Sequence, residues 1–191
     1  MLILLSGPVR AGKTTLCLRL VERARERGWQ AGGVLTPALM EAGEKAGIQA
    51  VELGSGETRT LARVDRDLGG VRVGPYSFDD RALDWVVCCC ARDLDGGGAR
   101  GSVPRIVFVD EIGKLELNRG GGLAPLIPLL ARSQPRPAVV IVRDFLLEAL
   151  LERLSGQAPR VVVVDPACRE RAWDELCGLA FGQEGREAGR C

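Results

Sequence analysis

The 191-residue sequence contains no histidine. That absence removes Ser-His and Cys-His nucleophilic pairs, imidazole general bases and every metal site built on histidine, so any chemistry falls to carboxylates, lysine and arginine. Aromatic residues are only 4% of the chain. Trp29, Tyr76, Phe78 and Trp85 are candidate rings for stacking on a ligand, and Tyr76 and Phe78, after a run of glycines, are the better placed. None of the seven cysteines forms a Cys-x-x-Cys pair, which argues against a zinc site or redox dithiol. Their odd number, with no secretory leader, reads as reduced thiols in a cytoplasmic protein. Cys88, Cys89 and Cys90 would point about 100° apart on a helix and cannot converge on one ion, so they read as core packing. Charge of neither sign dominates, since 26 basic residues face 25 acidic ones, and no field is available to hold nucleic acid or an anionic membrane. Leu2 to Leu5 is too short for a signal-peptide core, and charges interrupt every longer apolar stretch.

What remains is ordinary globular composition, 46% hydrophobic and 27% charged, in a length that suits one domain. Residues 1–182 are expected to form it, with 183–191 a small, polar, frayed tail. Leu2 to Leu5 followed by Ser6-Gly7 reads as a buried parallel strand, and Lys13 to Arg27 as a helix with Leu16, Cys17, Leu20, Val21 and Ala24 on its apolar face. Gln30 to Thr36 reads as a strand. Ile48 to Leu53, after a polar turn over Glu41 to Gly47, reads as part of a hairpin, and Thr58 to Val64 extends this antiparallel excursion. A helix capped by Asp79 or Asp80 carries Leu83, Val86, Val87 and Cys90, until the glycines near Asp95 to Pro104 break it. Strands at Ile106 to Val109, Ala138 to Val142 and Val161 to Val164 then alternate with helices at Leu123 to Arg132, Leu146 to Leu154 and Arg169 to Leu179. Such alternation predicts an α/β fold with a mainly parallel sheet.

Two segments carry chemistry. Gly7-Pro8-Val9-Arg10-Ala11-Gly12-Lys13-Thr14 fits Gly-x-x-x-x-Gly-Lys-Ser/Thr between a strand and a helix. In that setting the glycines let backbone NH groups point at phosphate oxygens, the helix N-terminus adds positive charge, Lys13 supplies a cation, and the Thr14 hydroxyl holds Mg²⁺. Residues 7–15, Thr15 included, are the expected nucleotide-binding set, with Arg10 facing solvent or covering the nucleotide. The second segment is the apolar run ending in Asp110-Glu111. A carboxylate at the end of such a strand suits Mg²⁺, and Glu111, one residue on, can polarise an attacking water.

From Val109 to Leu117, Val-Asp-Glu-Ile-Gly-Lys-Leu-Glu-Leu resembles the signature of the small P-loop nucleoside-triphosphatases, the cancer-related and thermophile nucleoside-triphosphatase family. Gly12 to Leu16 resembles its phosphate loop, and Gly32 to Thr36 with Gly47-Ile48 resembles its Gly-x-x-Thr strand and hairpin. Pro37 stands where the family commonly has an acid, and Asp165 to Arg169 replaces a Thr-x-x-Asn-Arg pattern. The resemblance implies a P-loop three-layer sandwich of the additional-strand, RecA-like type. It also implies slow Mg²⁺-dependent hydrolysis of several nucleoside triphosphates, ATP and GTP among them, to diphosphate and phosphate. On the family topology Arg143 ends the strand beside the Asp110 strand and can reach the γ-phosphate. The expected site is therefore Lys13, Glu111 and Arg143 for catalysis, with Thr14 and Asp110 for the metal. Two other classes fit a phosphate loop. One is a small-molecule kinase using the arginines of Ala91 to Arg105 as a lid, and the other is a nucleotide-dependent switch. The only asparagine is Asn118, so no Asn/Thr-Lys-x-Asp element selects guanine, and broad base tolerance is expected.

Overall fold

The computed structural model describes residues 1–96, 103–132 and 136–182. The expected frayed tail and most of the glycine stretch after Asp95 lie outside them. Strands β1 (Leu2–Gly7), β2 (Gln30–Leu35), β8 (Arg105–Ile112), β9 (Ala138–Arg143) and β10 (Arg160–Val163) form the parallel part of one sheet, in the order β10-β1-β9-β8-β2. The strand β9 thus stands between the phosphate-loop strand and the Asp110 strand, which is the additional-strand arrangement. Beyond β2 the sheet turns antiparallel through β4 (Glu44–Glu52), β5 (Thr58–Arg63), β7 (Tyr76–Phe78) and β6 (Arg72–Val73), with β3 (Ala38–Glu41) hairpinned onto β4.

Helices cover both faces because the parallel strands are apolar on both, alternate residues facing opposite ways. Ile3, Leu5, Phe108 and Ile141 meet Leu16, Cys17 and Leu20 of α1 (Lys13–Glu26) and Leu176 of α6 (Arg169–Phe181). Leu4, Val107, Val109 and Val140 meet Val86 and Cys90 of α2 (Asp80–Leu94), Leu130 of α4 (Ile127–Leu130) and Leu150 of α5 (Leu147–Arg153). The result is a three-layer α/β/α sandwich. Asp79 caps α2, its carboxylate accepting from the Arg81 and Ala82 NH groups.

Three local expectations change. The helix expected over Leu123 to Arg132 is a 3-10 turn, Ala124–Leu126, followed by the four-residue α4, since Pro125 and Pro128 remove backbone donors where a longer helix needs them. The loop expected from Asp110 to Gly122 contains α3 (Lys114–Arg119), where Glu116 reaches back to the Gly113 NH at 2.8 Å and on to the Leu123 NH at 3.1 Å. Of the three adjacent cysteines, Cys89 and Cys90 are buried while Cys88 is exposed, because the helix turns it outward.

The fold also corrects the lid. Arg105 begins β8 opposite Gln30, at the end of the sheet away from Gly7 and Asp110. There the buried Asp93 carboxylate accepts from the Gly33 NH at 2.7 Å and pairs with Arg105 at 3.0 Å and Arg92 at 3.2 Å. Leaving a buried charge without its partner costs about 3–5 kcal/mol, so these arginines are fixed in place. They sit at the wrong end of the strands to close over phosphates, and Arg100 lies outside the described residues.

Candidate active site

The loop between β1 and α1 curls over the carboxyl end of the sheet. Gly12, at φ 96°, begins α1, and no side chain caps its first turn. The free NH groups of that turn are therefore available to an anion. Pro8, Val9 and Arg10 form an exposed rim, whereas Ala11 is fully buried and anchors the loop to the core. Thr14 is half-buried and Thr15 exposed.

Lys13 is buried, and its ammonium donates to the carbonyls of Gly7 at 2.6 Å and Pro8 at 2.8 Å. Burial pulls its pKa below the usual lysine value, while the carboxylates of Glu111 and Asp144 oppose that pull. The ammonium thus sits within the curl of the loop, held by two neutral carbonyl oxygens.

Asp110 reaches the same place from β8. Its carboxylate accepts from the Thr14 hydroxyl at 3.3 Å and from the Thr36 backbone NH at 3.0 Å. Only 3% of the residue is exposed, and desolvation pushes its pKa up to about 6, with Glu111 adding to the rise. A buried carboxylate beside a hydroxyl is a hard, oxygen-only pair of the kind that would suit Mg²⁺. Thr36, the last residue of the Gly-x-x-Thr stretch, thus stands at the Asp110 carboxylate, a placement that the sequence alone did not assign to it.

Glu111 is aimed by an irregularity in the sheet. Val109 pairs with Val140 and Ile112 with Val142, so Asp110 and Glu111 together oppose Ile141. Such a bulge bends the strand and redirects the extra side chain. The strand therefore runs through the carboxylates to Ile112, where the sequence suggested an end at Val109. Glu111 is 30% exposed at its side chain and accepts from the Arg143 Nε at 2.5 Å. Arg143 itself pairs in register with Gly7, placing it at the mouth of the loop. Every member of the expected catalytic and metal set thus converges on the carboxyl ends of β1, β8 and β9.

The candidate stacking rings are engaged elsewhere. Trp29 packs edge-on against Phe181 at 5.1 Å, Tyr76 lies beside Phe78 at 6.5 Å, and Arg59 covers Trp85 at 4.5 Å. Among the described residues no helix is long and apolar enough to cross a membrane, and no three Cys, Asp or Glu side chains form a metal cluster.

A family model described as NTPase matches residues 2–177. Nucleoside-triphosphatase THEP1 of Ignicoccus hospitalis is 31% identical over 90% of this chain and 91% of its own length. The crystal structure of THEP1 from the hyperthermophile Aquifex aeolicus superposes with a TM-score of 0.72 at 18% identity, covering 95% of this chain and 99% of that one. The solution structure of a human cancer-related nucleoside triphosphatase gives a TM-score of 0.72 at 24% identity, covering 95% and 98%. The fold is thus shared with both solved structures, and by the match over residues 2–177 and the likeness to its relatives the chain belongs to the THEP1-like family of small P-loop NTPases.

Proposed function

We propose that the protein hydrolyses nucleoside triphosphates to diphosphate and phosphate, in a Mg²⁺-dependent reaction with broad base tolerance. The observation that carries this reading is the convergence of Lys13, Thr14, Asp110, Glu111 and Arg143 on one loop. Lys13 exchanges its two carbonyl partners for β and γ oxygens, while the loop and first-turn NH groups orient the chain of phosphates. Thr14 and Asp110 would hold Mg²⁺, which would supply charge neutralisation to the phosphates. Glu111, in the partly exposed position, accepts the proton of the attacking water. Arg143, paired with Glu111, also stands within reach of the terminal phosphate and balances charge that develops there.

Phosphate release from ATP, GTP, CTP and UTP, measured without an acceptor and with Mg²⁺ or EDTA, tests this function. Release is expected for all four with Mg²⁺, with rates within about tenfold of one another because no base-reading motif is present. A single accepted base would defeat the tolerance, and release that needs a second substrate would favour the kinase. Arg143→Ala is expected to lower kcat with little change in KM, the signature of a group that acts on the transition state. An unchanged kcat would return Arg143 to the surface.

A further inference from the structure

The strand β1 has two flanks. Asp110, Glu111 and Arg143 come from β8 and β9, on one of them, and β10 forms the other. If the loop is read as the triphosphate cradle proposed above, the terminal phosphate lies toward the first flank, and the nucleoside leaves toward the second. There the chain turns from β10 through Asp165 and Cys168 into α6, whose first residue is Arg169.

The Arg169 side chain lies across Gly12. A Cβ placed on Gly12 would stand 3.5 Å from the Arg169 Cδ and 3.7 Å from its Nε and Nη1. The guanidinium is exposed and makes no hydrogen bond or ion pair with any described residue, although the adjacent Glu170 pairs with Arg19 at 2.9 Å. The turn offers little else to a base. An Asp165 carboxylate oxygen accepts from the Ala167 NH at 2.8 Å, and the Cys168 NH donates to the Asp165 carbonyl at 3.0 Å. The next aromatic, Trp173, is covered by the Arg19 guanidinium at 4.0 Å.

We infer that Arg169 is the nucleoside platform of the site, its flat guanidinium stacking on the base. A planar, delocalised cation binds the face of an aromatic ring. Every base presents such a face, so affinity gained this way tolerates base identity, whereas recognition through ring edges does not. The Arg169 stem rests against the loop at Gly12 at ordinary van der Waals distance, which holds the guanidinium beside the start of α1.

Dissociation constants for ATP, GTP, CTP, UTP and inorganic tripolyphosphate, each with Mg²⁺, test this assignment in the parent, Arg169→Ala and Arg169→Lys. Arg169→Ala is expected to weaken all four nucleotides about tenfold, as loss of one stacking partner does, and to leave tripolyphosphate within about twofold. Retained tripolyphosphate binding also reports an intact loop. Arg169→Lys restores the charge without the plane, so nucleotide binding is expected to stay weak. Equal weakening of tripolyphosphate and ATP would overturn the platform and make Arg169 a phosphate contact. Full recovery in the lysine variant, or no change in the alanine variant, would overturn it too. A parent that binds neither nucleotide nor tripolyphosphate would instead refute the cradle, and the platform with it.

Discussion

Lys13→Ala is expected to abolish measurable turnover and to remove most of the affinity for triphosphate. The ammonium is buried by the loop and held in place by two carbonyl oxygens, so on the proposed reading it is a preorganised donor. Removing one preorganised donor from developing charge costs about 10² to 10³ in rate, and the same substitution also removes a ground-state phosphate contact. No other lysine can substitute, because Lys45 lies over Tyr76 at 5.2 Å and Lys114 over Phe145 at 5.2 Å. Nucleotide titration and phosphate release together check the result. Parental affinity and rate in a folded Lys13→Ala protein would remove the cradle from the account.

Glu111→Gln is expected to separate binding from chemistry. Glutamine keeps the size of the side chain and an oxygen to accept from the Arg143 Nε, so the local arrangement survives. What disappears is the proton acceptor. A positioned base contributes about 10² to 10⁴ in rate, so kcat should fall within that range while Mg²⁺-nucleotide affinity stays within about threefold. Asp110→Asn should behave differently, weakening Mg²⁺ dependence as well as rate, because that carboxylate faces Thr14 and not Arg143. Steady-state kinetics with a Mg²⁺ titration distinguish the two. A Glu111→Gln protein as fast as the parent would reduce Glu111 to a partner of Arg143.

The phosphate loop was legible in the sequence because its chemistry is local: eight contiguous residues contain both glycines, the lysine and the threonine. The parallel core was legible for a related reason, since strands buried on both faces read as continuous apolar runs. Asp110 and Glu111 were visible as residues, but their different directions depend on a bulge against β9, whose pairing partners lie about 30 positions downstream. Thr36 was visible as the threonine of the Gly-x-x-Thr stretch, but its contact with Asp110 was not, because the two residues lie 74 positions apart. Helix α3 escaped because its support comes from Glu116, which bonds both ahead of and beyond the helix. Arg92 and Arg105 are excluded as lid residues for a topological reason, since the sheet order and their pairing with Asp93 put them at the end of β8 away from the phosphate loop.

Hydrolysis in ¹⁸O-labelled water tests most directly whether water, positioned by Glu111, attacks the γ-phosphate of a bound triphosphate. With ATP and Mg²⁺, each inorganic phosphate released should carry one oxygen from solvent, and the diphosphate should carry none. Label in the diphosphate or in pyrophosphate, or no phosphate released until an acceptor is added, would contradict the account.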